Sequence, residues 1–253
     1  MTTLLFENDE YGNPVGVSVS HKVLERPHRW HLNGKWCVLE RLTLDHAEAL
    51  TEVLKGHDQN WVWLPYGPIH EVKAMAEWIE STGLNDDPLF YVVKAPVTGK
   101  IMGVLSYLRI NPDSRSIEVG HINFAPVMQK TPAATEAVYL MMKAAFDAGY
   151  RRFEWKCNVL NHKSCRAAER FGLSFEGVFR AATLSKGRNR DTAWFAATET
   201  DWPLIQAAFE TWLSADNFTS EGQQISALSD LTRPHLVRQI ATSGYQFSET
   251  QSH

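Results

Sequence analysis

Cysteine is scarce in this chain, and the three present, Cys37, Cys157 and Cys165, have neither CxxC spacing nor a histidine at ligand spacing. A disulfide framework and a structural zinc site are therefore not indicated, and no metal is expected. No apolar run approaches the roughly 20 residues of a membrane span, and no charged segment followed by an apolar stretch opens the sequence. Charge of one sign is not in large excess: the net charge is −4, and the basic cluster Lys186, Arg188, Arg190 is local. Nothing demands nucleic acid or an anionic membrane as a partner. Internal repeats and low-complexity blocks are absent as well. These absences leave the expectation of a soluble, unprocessed, cytoplasmic protein, with homodimer formation left open. At 253 residues and 44% apolar composition, the chain can bury a core as one large or two small domains.

Residues 1–35 mix glycine, proline, histidine and charge without a period and read as an irregular arm. A domain is expected over 36–213. A short strand at 38–42 precedes a helix capped near Thr43 or Asp45. An aromatic, proline-containing stretch, "QNWVWLPYGPI", leads to a second helix over about 70–81. Strands follow at 89–93 and 101–110, with a turn at Thr98-Gly99 between them. Further strands and helices alternate to about Thr200, and "DWPLIQAAFETWL" reads as a helix. The polar extension 214–253 has little periodicity. This order indicates a mixed α/β sheet with helices on both faces.

The strand "SIEVGHINF" is irregular. Its apolar positions, Ile117 and Val119 and then Ile122 and Phe124, change phase across Gly120-His121. A strand buried on both faces is one reading; the other is a β-bulge that splays the strand and leaves backbone groups for an extended, amide-containing ligand. The helix that follows opens with Thr131, Pro132, Ala133 and Ala134. Proline suits a first turn, and small side chains let an anion such as a pyrophosphate approach the free N–H donors. An ordinary well-capped helix has the same signature. Further on, Asn161 is suited to cap the helix "HKSCRAAERFG", and Gly172 to end it.

Together these stretches, from about Val38 to Trp202, resemble the GNAT superfamily of acyl-CoA-dependent N-acyltransferases, in the branch of the bacterial ribosomal-protein N-terminal-amine acetyltransferases. The family's pyrophosphate loop, Q/R-x-x-G-x-G/A, corresponds to Gln129, Pro132 and Ala134, with proline in place of the usual glycine and one N–H fewer. The N-x-x-S/A start of the next helix, followed by G-F/L, corresponds to Asn161, Ser164, Gly172 and Leu173. The resemblance implies an α+β fold: a twisted, mostly antiparallel sheet with a bulged, splayed central strand. It implies acetyl-CoA as acyl donor and CoA as product. It also implies a site in which His121, Ile122, Asn123, Phe124 and Ala125 align the thioester. Gln129, Lys130, Thr131, Pro132, Ala133 and Ala134 would bind the pyrophosphate, and Asn161 and Ser164 would lie beside the pantetheine and adenine-diphosphate arm.

One departure concerns proton donation, because Ala168 stands where many relatives carry a tyrosine that protonates the leaving thiolate. Cys157, Ser164 or a water remain as donors, although an inert buried strand position is the favoured reading of Cys157. Glu118, in "IEVG", resembles the glutamate of the branch's "AEIG/AELG" stretch and is the expected general base; a cross-strand salt bridge is its alternative role. Trp61, Trp63 and Tyr66 are expected to wall the acceptor site, unless they are core. Arg188 and Arg190 are expected to hold a carboxylate or phosphate of the acceptor, unless they belong to a solvated hairpin tip stabilised through Asp191. The expected activity is direct acetyl transfer to a primary amine of a small molecule, an amino-acid derivative or a protein N-terminus. A catalytically inactive acyl-CoA-binding regulatory module is the alternative.

Overall fold

The computed structural model describes residues 5–19, 24–27 and 31–242. Strands β1 (Phe6–Asn8) and β2 (Pro14–Gly16) form a small exposed hairpin. The main sheet begins with β3 (Leu32–Asn33) and β4 (Val38–Arg41), after which helices α1 (Ala47–Leu54) and α2 (Val72–Trp78) intervene. Strands β5 (Leu89–Lys94), β6 (Ile101–Asn111) and β7 (Ser116–Phe124) follow. Helix α3 (Pro132–Ala148) then crosses to β8 (Arg152–Asn158), and α4 (His162–Arg170) leads to the long hairpin β9 (Ser174–Ser185) and β10 (Arg188–Thr198). Helices α5 (Trp202–Leu213) and α6 (Leu228–Thr232) complete the described chain.

The eight strands lie in the order β3-β4-β5-β6-β7-β8-β10-β9, and every neighbouring pair is antiparallel except β7 with β8. A parallel pair needs a crossover, and α3 supplies it. The expected mixed, mostly antiparallel sheet with helices on both faces is thus the observed one. Strand β5 explains the two-sided core: Leu89, Tyr91 and Val93 enter the larger core beneath α3 and α5, while Phe90 and Val92 enter a second core beneath α1 and α2. Such a strand must be apolar throughout, and "LFYVV" is.

Local chemistry sets the boundaries. Helix α3 starts with Pro132 at its first turn and stops where Gly149 takes φ 98°, a left-handed conformation that glycine adopts without strain. The helix expected over 70–81 is shorter, Val72–Trp78, and passes into a π turn at Ile79–Gly83. The Ser81 hydroxyl donates to the carbonyls of Glu77 and Trp78 at 2.8 and 3.3 Å, competing with the backbone ladder. The extension past 213 is more ordered than its composition suggests. Asn217 donates to the carbonyls of Trp212 and Ser226 and accepts from the Ser226 N–H, and α6 seats a fully buried Leu228.

The segment leading into β4 is tied to α3 by one carboxylate. Glu136, 5% exposed, accepts the N–H of Lys35 at 2.9 Å on Oε1, and those of Trp36 and Cys37 at 2.6 and 2.8 Å on Oε2. Removing it strands three donors that water reaches poorly. Charged hydrogen bonds of this kind contribute about 1.5–3 kcal/mol each and are not additive. Glu136→Ala should therefore cost about 3 kcal/mol, read as a lower urea midpoint with an unchanged denaturant slope.

Candidate active site

The phase change in β7 is a bulge. Strand β6 pairs Val104 with Asn123 and Ser106 with Gly120. One residue of β6, Leu105, therefore opposes two of β7, His121 and Ile122. His121 takes φ 51°, uncommon for a residue with a side chain and a local strain of the sort found at functional positions. On the other edge, β7 pairs with β8 only from Ser116↔Arg152 to Val119↔Trp155. Both strands run on, to Phe124 and Asn158, without pairing. The sheet opens into a V there, and backbone groups on that side of β7 have no strand partner.

A cleft of about 980 Å³ occupies the opening and the groove between α3 and α4. From β7 it is lined by Ile122, Asn123 and Phe124, and from the loop and first turn of α3 by Gln129, Lys130, Thr131 and Ala134. Asn161 and Ser164 line it from α4. Three further expected residues lie elsewhere: Ala125 is buried, Ala133 is buried in the main core, and the His121 ring is on the opposite face of the sheet, packed on Phe90. Pro132 serves as the first residue of α3.

Each wall has a local cause. Gln129 Nε2 donates to the Phe124 carbonyl at 2.8 Å and to Asn60 Oδ1 at 3.3 Å, while Asn60 Nδ2 donates to the same carbonyl at 3.1 Å. These bonds fold the loop back on the strand. The Thr131 hydroxyl donates to the Met128 carbonyl and does not cap α3, so the helix N-terminus faces the cleft without a side-chain cap. Asn161 Oδ1 accepts the Ser164 N–H at 3.2 Å, the N-cap its position suggests. Ser164 Oγ accepts from Trp155 Nε1 at 2.9 Å, which leaves its hydroxyl proton free to donate. Cys157 and Cys165 have sulphurs 3.5 Å apart, and the hydrogen bond from Cys165 holds the Cys157 thiol below its ordinary range.

The opposite face carries the titratable groups. Glu118, 5% exposed, lies on the floor with Lys156 Nζ 2.9 Å and Arg109 Nε 3.3 Å from Oε2. Burial pushes its carboxyl up, and the two cations only partly offset that. The His121 ring stacks on Tyr66 at 5.6 Å and 5°, with Nδ1 3.0 Å from the phenol oxygen. Burial, and then the charge of Arg190, hold the imidazole down to about 4, so it is neutral at pH 7. Burial raises the Tyr66 phenol well above its usual range. Of the residues expected as an acceptor wall, Trp61 is a core residue of the α1–α2 side, 2% exposed, and Trp63 is exposed. Only Tyr66 reaches the bulge. Arg190 is half-buried near the open end of the V, and Arg188 is exposed toward the hairpin tip.

An acetyltransferase (GNAT) domain model matches residues 37–174. The chain belongs to the GNAT acetyltransferase family. A GCN5-related N-acetyltransferase from Brucella melitensis is 39% identical over 83% of this chain and 97% of its own, with a TM-score of 0.80. A probable GNAT-family acetyltransferase from Chromobacterium violaceum is 36% identical over 76% and 99%, with a TM-score of 0.70. RimL, the ribosomal L7/L12 alpha-N-protein acetyltransferase, shares the fold at 19% identity over 67% and 94%, TM-score 0.59. A search of curated proteins found no match. As a GNAT enzyme the protein is an acyltransferase, and the family finding speaks against an inactive acyl-CoA-binding module.

Reading the sequence missed several residues of the GNAT cleft. Asn60 comes from a separate turn, Thr135 and Val138 from further along α3, and Arg170 from the end of α4. Trp212, Gln223 and Gln224 reach it from α5 and the extension. Helical spacing, four and seven residues on from Thr131, places Thr135 and Val138 on the same side of α3 as Thr131, whereas nothing local points to the two glutamines.

The uncapped N-terminus of α3 fits the pyrophosphate of acetyl-CoA, and the unpaired edge of β7 fits the amides of its pantetheine arm. Ala134→Asp places a carboxylate at the third position of α3, which the helix dipole tolerates or favours. Titration calorimetry should show CoA affinity falling at least tenfold with thermal stability kept. Unchanged affinity would mean that this helix end does not hold the diphosphate.

Proposed function

We propose that the protein transfers the acetyl group of acetyl-CoA directly to a primary amine, within a ternary complex. The observation that carries this reading is the position of Glu118 relative to the V. It stands one residue before the last paired position of β7, with its side chain on the face opposite the α3–α4 groove. On this reading donor and acceptor approach the same gap from opposite faces of the sheet.

Acetyl-CoA, when bound, supplies a thioester whose C–S bond breaks as the amine nitrogen bonds to the carbonyl carbon, the sulphur leaving as thiolate. An ammonium cannot attack, so a proton must leave the acceptor first. In this reading Glu118 takes it, directly or through a water, and the upward shift that burial gives its carboxyl supports that role. Lys156 and Arg109 hold the carboxylate in place and offset part of the cost of burying its charge. The backbone N–H groups at the bulge are placed to polarise the thioester oxygen. Ser164 and Cys157 are the side chains on this chain that can return a proton to the thiolate. The acceptor classes this reading covers are a small-molecule amine, an amino-acid derivative and a protein N-terminus.

Glu118→Gln keeps the shape of the side chain and removes its basicity. Turnover at neutral pH should fall on the order of 10²- to 10⁴-fold, with part recovered as rising pH supplies free amine. In the parent enzyme the acid limb of the pH–rate profile should lie above the ordinary carboxylate range, because burial raises Glu118. A pure salt-bridge role gives the reverse pattern: lost stability with unchanged turnover per folded molecule. Parallel pH–rate profiles, corrected for folded fraction, distinguish the two.

A further inference from the structure

On the Glu118 face, buried polar groups without partners gather around the bulge. Among the described residues, Arg190 Nε, Trp194 Nε1 and both amide atoms of Asn123 are buried and make no hydrogen bond. Asn123 is 2% exposed. Buried polar groups are nearly always satisfied, and each exception calls for a cause. These three lie on β7 and β10, on either side of the open V, while Trp36, Arg41 and Trp78 carry further unpartnered buried atoms elsewhere.

The hairpin geometry explains how Arg190 comes to be there. Strand β10 pairs with β8 in unbroken register from Thr192 to Thr198, with Ala193, Phe195 and Ala197 in the main core, and its pairing with β9 shifts register between Arg190 and Thr192. Arg190, Thr192 and Trp194 therefore occupy the other face, the one that holds Glu118 and His121. Thr192 pairs with Asn158, the last residue of β8, so Arg190 lies just beyond the end of β8, across the open V from His121. Lys186, at the hairpin turn, donates to the carbonyls of Trp61 and Gly67 at 2.8 and 3.2 Å. Those bonds fasten the hairpin to the loop that carries Tyr66 and hold Arg190 over the gap. The influence of its charge on both His121 and Cys157 agrees with that placement.

Arg190 has no ion-pair partner among the described residues. The nearest carboxylate in sequence, Asp191, is already engaged: Oδ1 accepts the Ala181 N–H at 2.7 Å and Asn189 Nδ2 at 2.9 Å. The expected alternative, a hairpin tip stabilised through Asp191, is thus present, but it does not involve Arg190. A half-buried guanidinium that lacks an anion has lost part of its hydration without compensation. Its planar donors suit a carboxylate or a phosphate.

From this placement we infer that the acceptor is a small amine that also carries an anionic group, a carboxylate or phosphate a few bonds from the nitrogen, and that Arg190 receives that anion while the amine faces Glu118 and the bulge. The inference rests on the N-acetyltransferase reading of the site. It makes Arg190 a specificity-determining residue and Lys186 the residue that positions its hairpin.

The test uses matched acceptors that differ in one charge: an α-amino acid against its carboxamide, and O-phosphoethanolamine against ethanolamine. Binding is measured by calorimetry at saturating CoA, and turnover by thiol release from acetyl-CoA. In at least one pair the anionic member should bind about 10- to 100-fold more tightly, the range for charge-assisted hydrogen bonds. The pair that shows the difference identifies carboxylate or phosphate. Arg190→Gln should abolish the preference through KM and leave CoA affinity unchanged, and Arg190→Lys should restore part of it. Equal binding within both pairs overturns the proposal, as does an Arg190→Gln loss confined to kcat or shared by the uncharged members. Preferential anion binding without acetyl transfer to any amine would sustain the role of Arg190 and sink the transferase reading instead. If Arg190→Gln fails to fold, the Arg190→Lys variant and the parent's preference within each pair decide.

Discussion

Leu105 has two residues of β7 opposite it, and much of the site's geometry follows from that mismatch. An unbulged β7 would keep one phase, putting His121 on the face of Ile117 and Val119 and Ile122 on the face of Glu118. The extra residue reverses the phase beyond Gly120, so Ile122 and Phe124 stay with the main core while His121 turns toward Tyr66 and Phe90. The pairing with β8 stops at Val119. A closed sheet would bury those backbone groups against each other; the open one offers them to a ligand at the N-terminus of a helix whose first turn has only small side chains.

The rest of the molecule holds this gap at a fixed width from both ends. Asn60 and Gln129 bind the Phe124 carbonyl and fix the end of β7 to the loop before α3. On the β8 side the Val159 N–H donates to the Asp191 carbonyl at 2.9 Å, continuing the contact with β10 past the end of the strand. Lys186 then spans from the hairpin to the loop after α1. The two faces differ in chemistry because different elements cover them. Helices α3 and α4 line an anion-compatible groove on one side, while a largely buried cluster of Glu118, Lys156 and Glu154, joined by an exposed Arg109, lies on the other, with the Trp194 ring 3.6 Å from Lys156 Nζ.

Much of this was legible because local patterns carry it. The bulge shows as a phase change in "SIEVGHINF", the start of α3 as Pro132, the ends of α4 as Asn161 and Gly172, and the family as motifs at fixed spacing. What was not legible depends on distant partners. Nothing near Trp61 distinguishes a core indole from a site wall; its burial is decided by α1, α2 and the turn at Gly67. The direction of the His121 ring depends on the bulge residue's backbone conformation, which apolar periodicity does not reveal. The extension after 213 looked featureless because its order comes from single anchors, Asn217 and Leu228, and not from a repeating face.

Amide hydrogen exchange with and without CoA is the most direct measurement of whether the V is a ligand site held open by the bulge. Amides with no strand partner exchange readily unless something covers them. CoA should slow exchange in segments covering 121–134 and 161–164 together, and leave β4 and β5 unchanged. Protection confined to other segments, or no protection at saturating CoA, would contradict the assignment of the gap between β7 and β8 as the donor site.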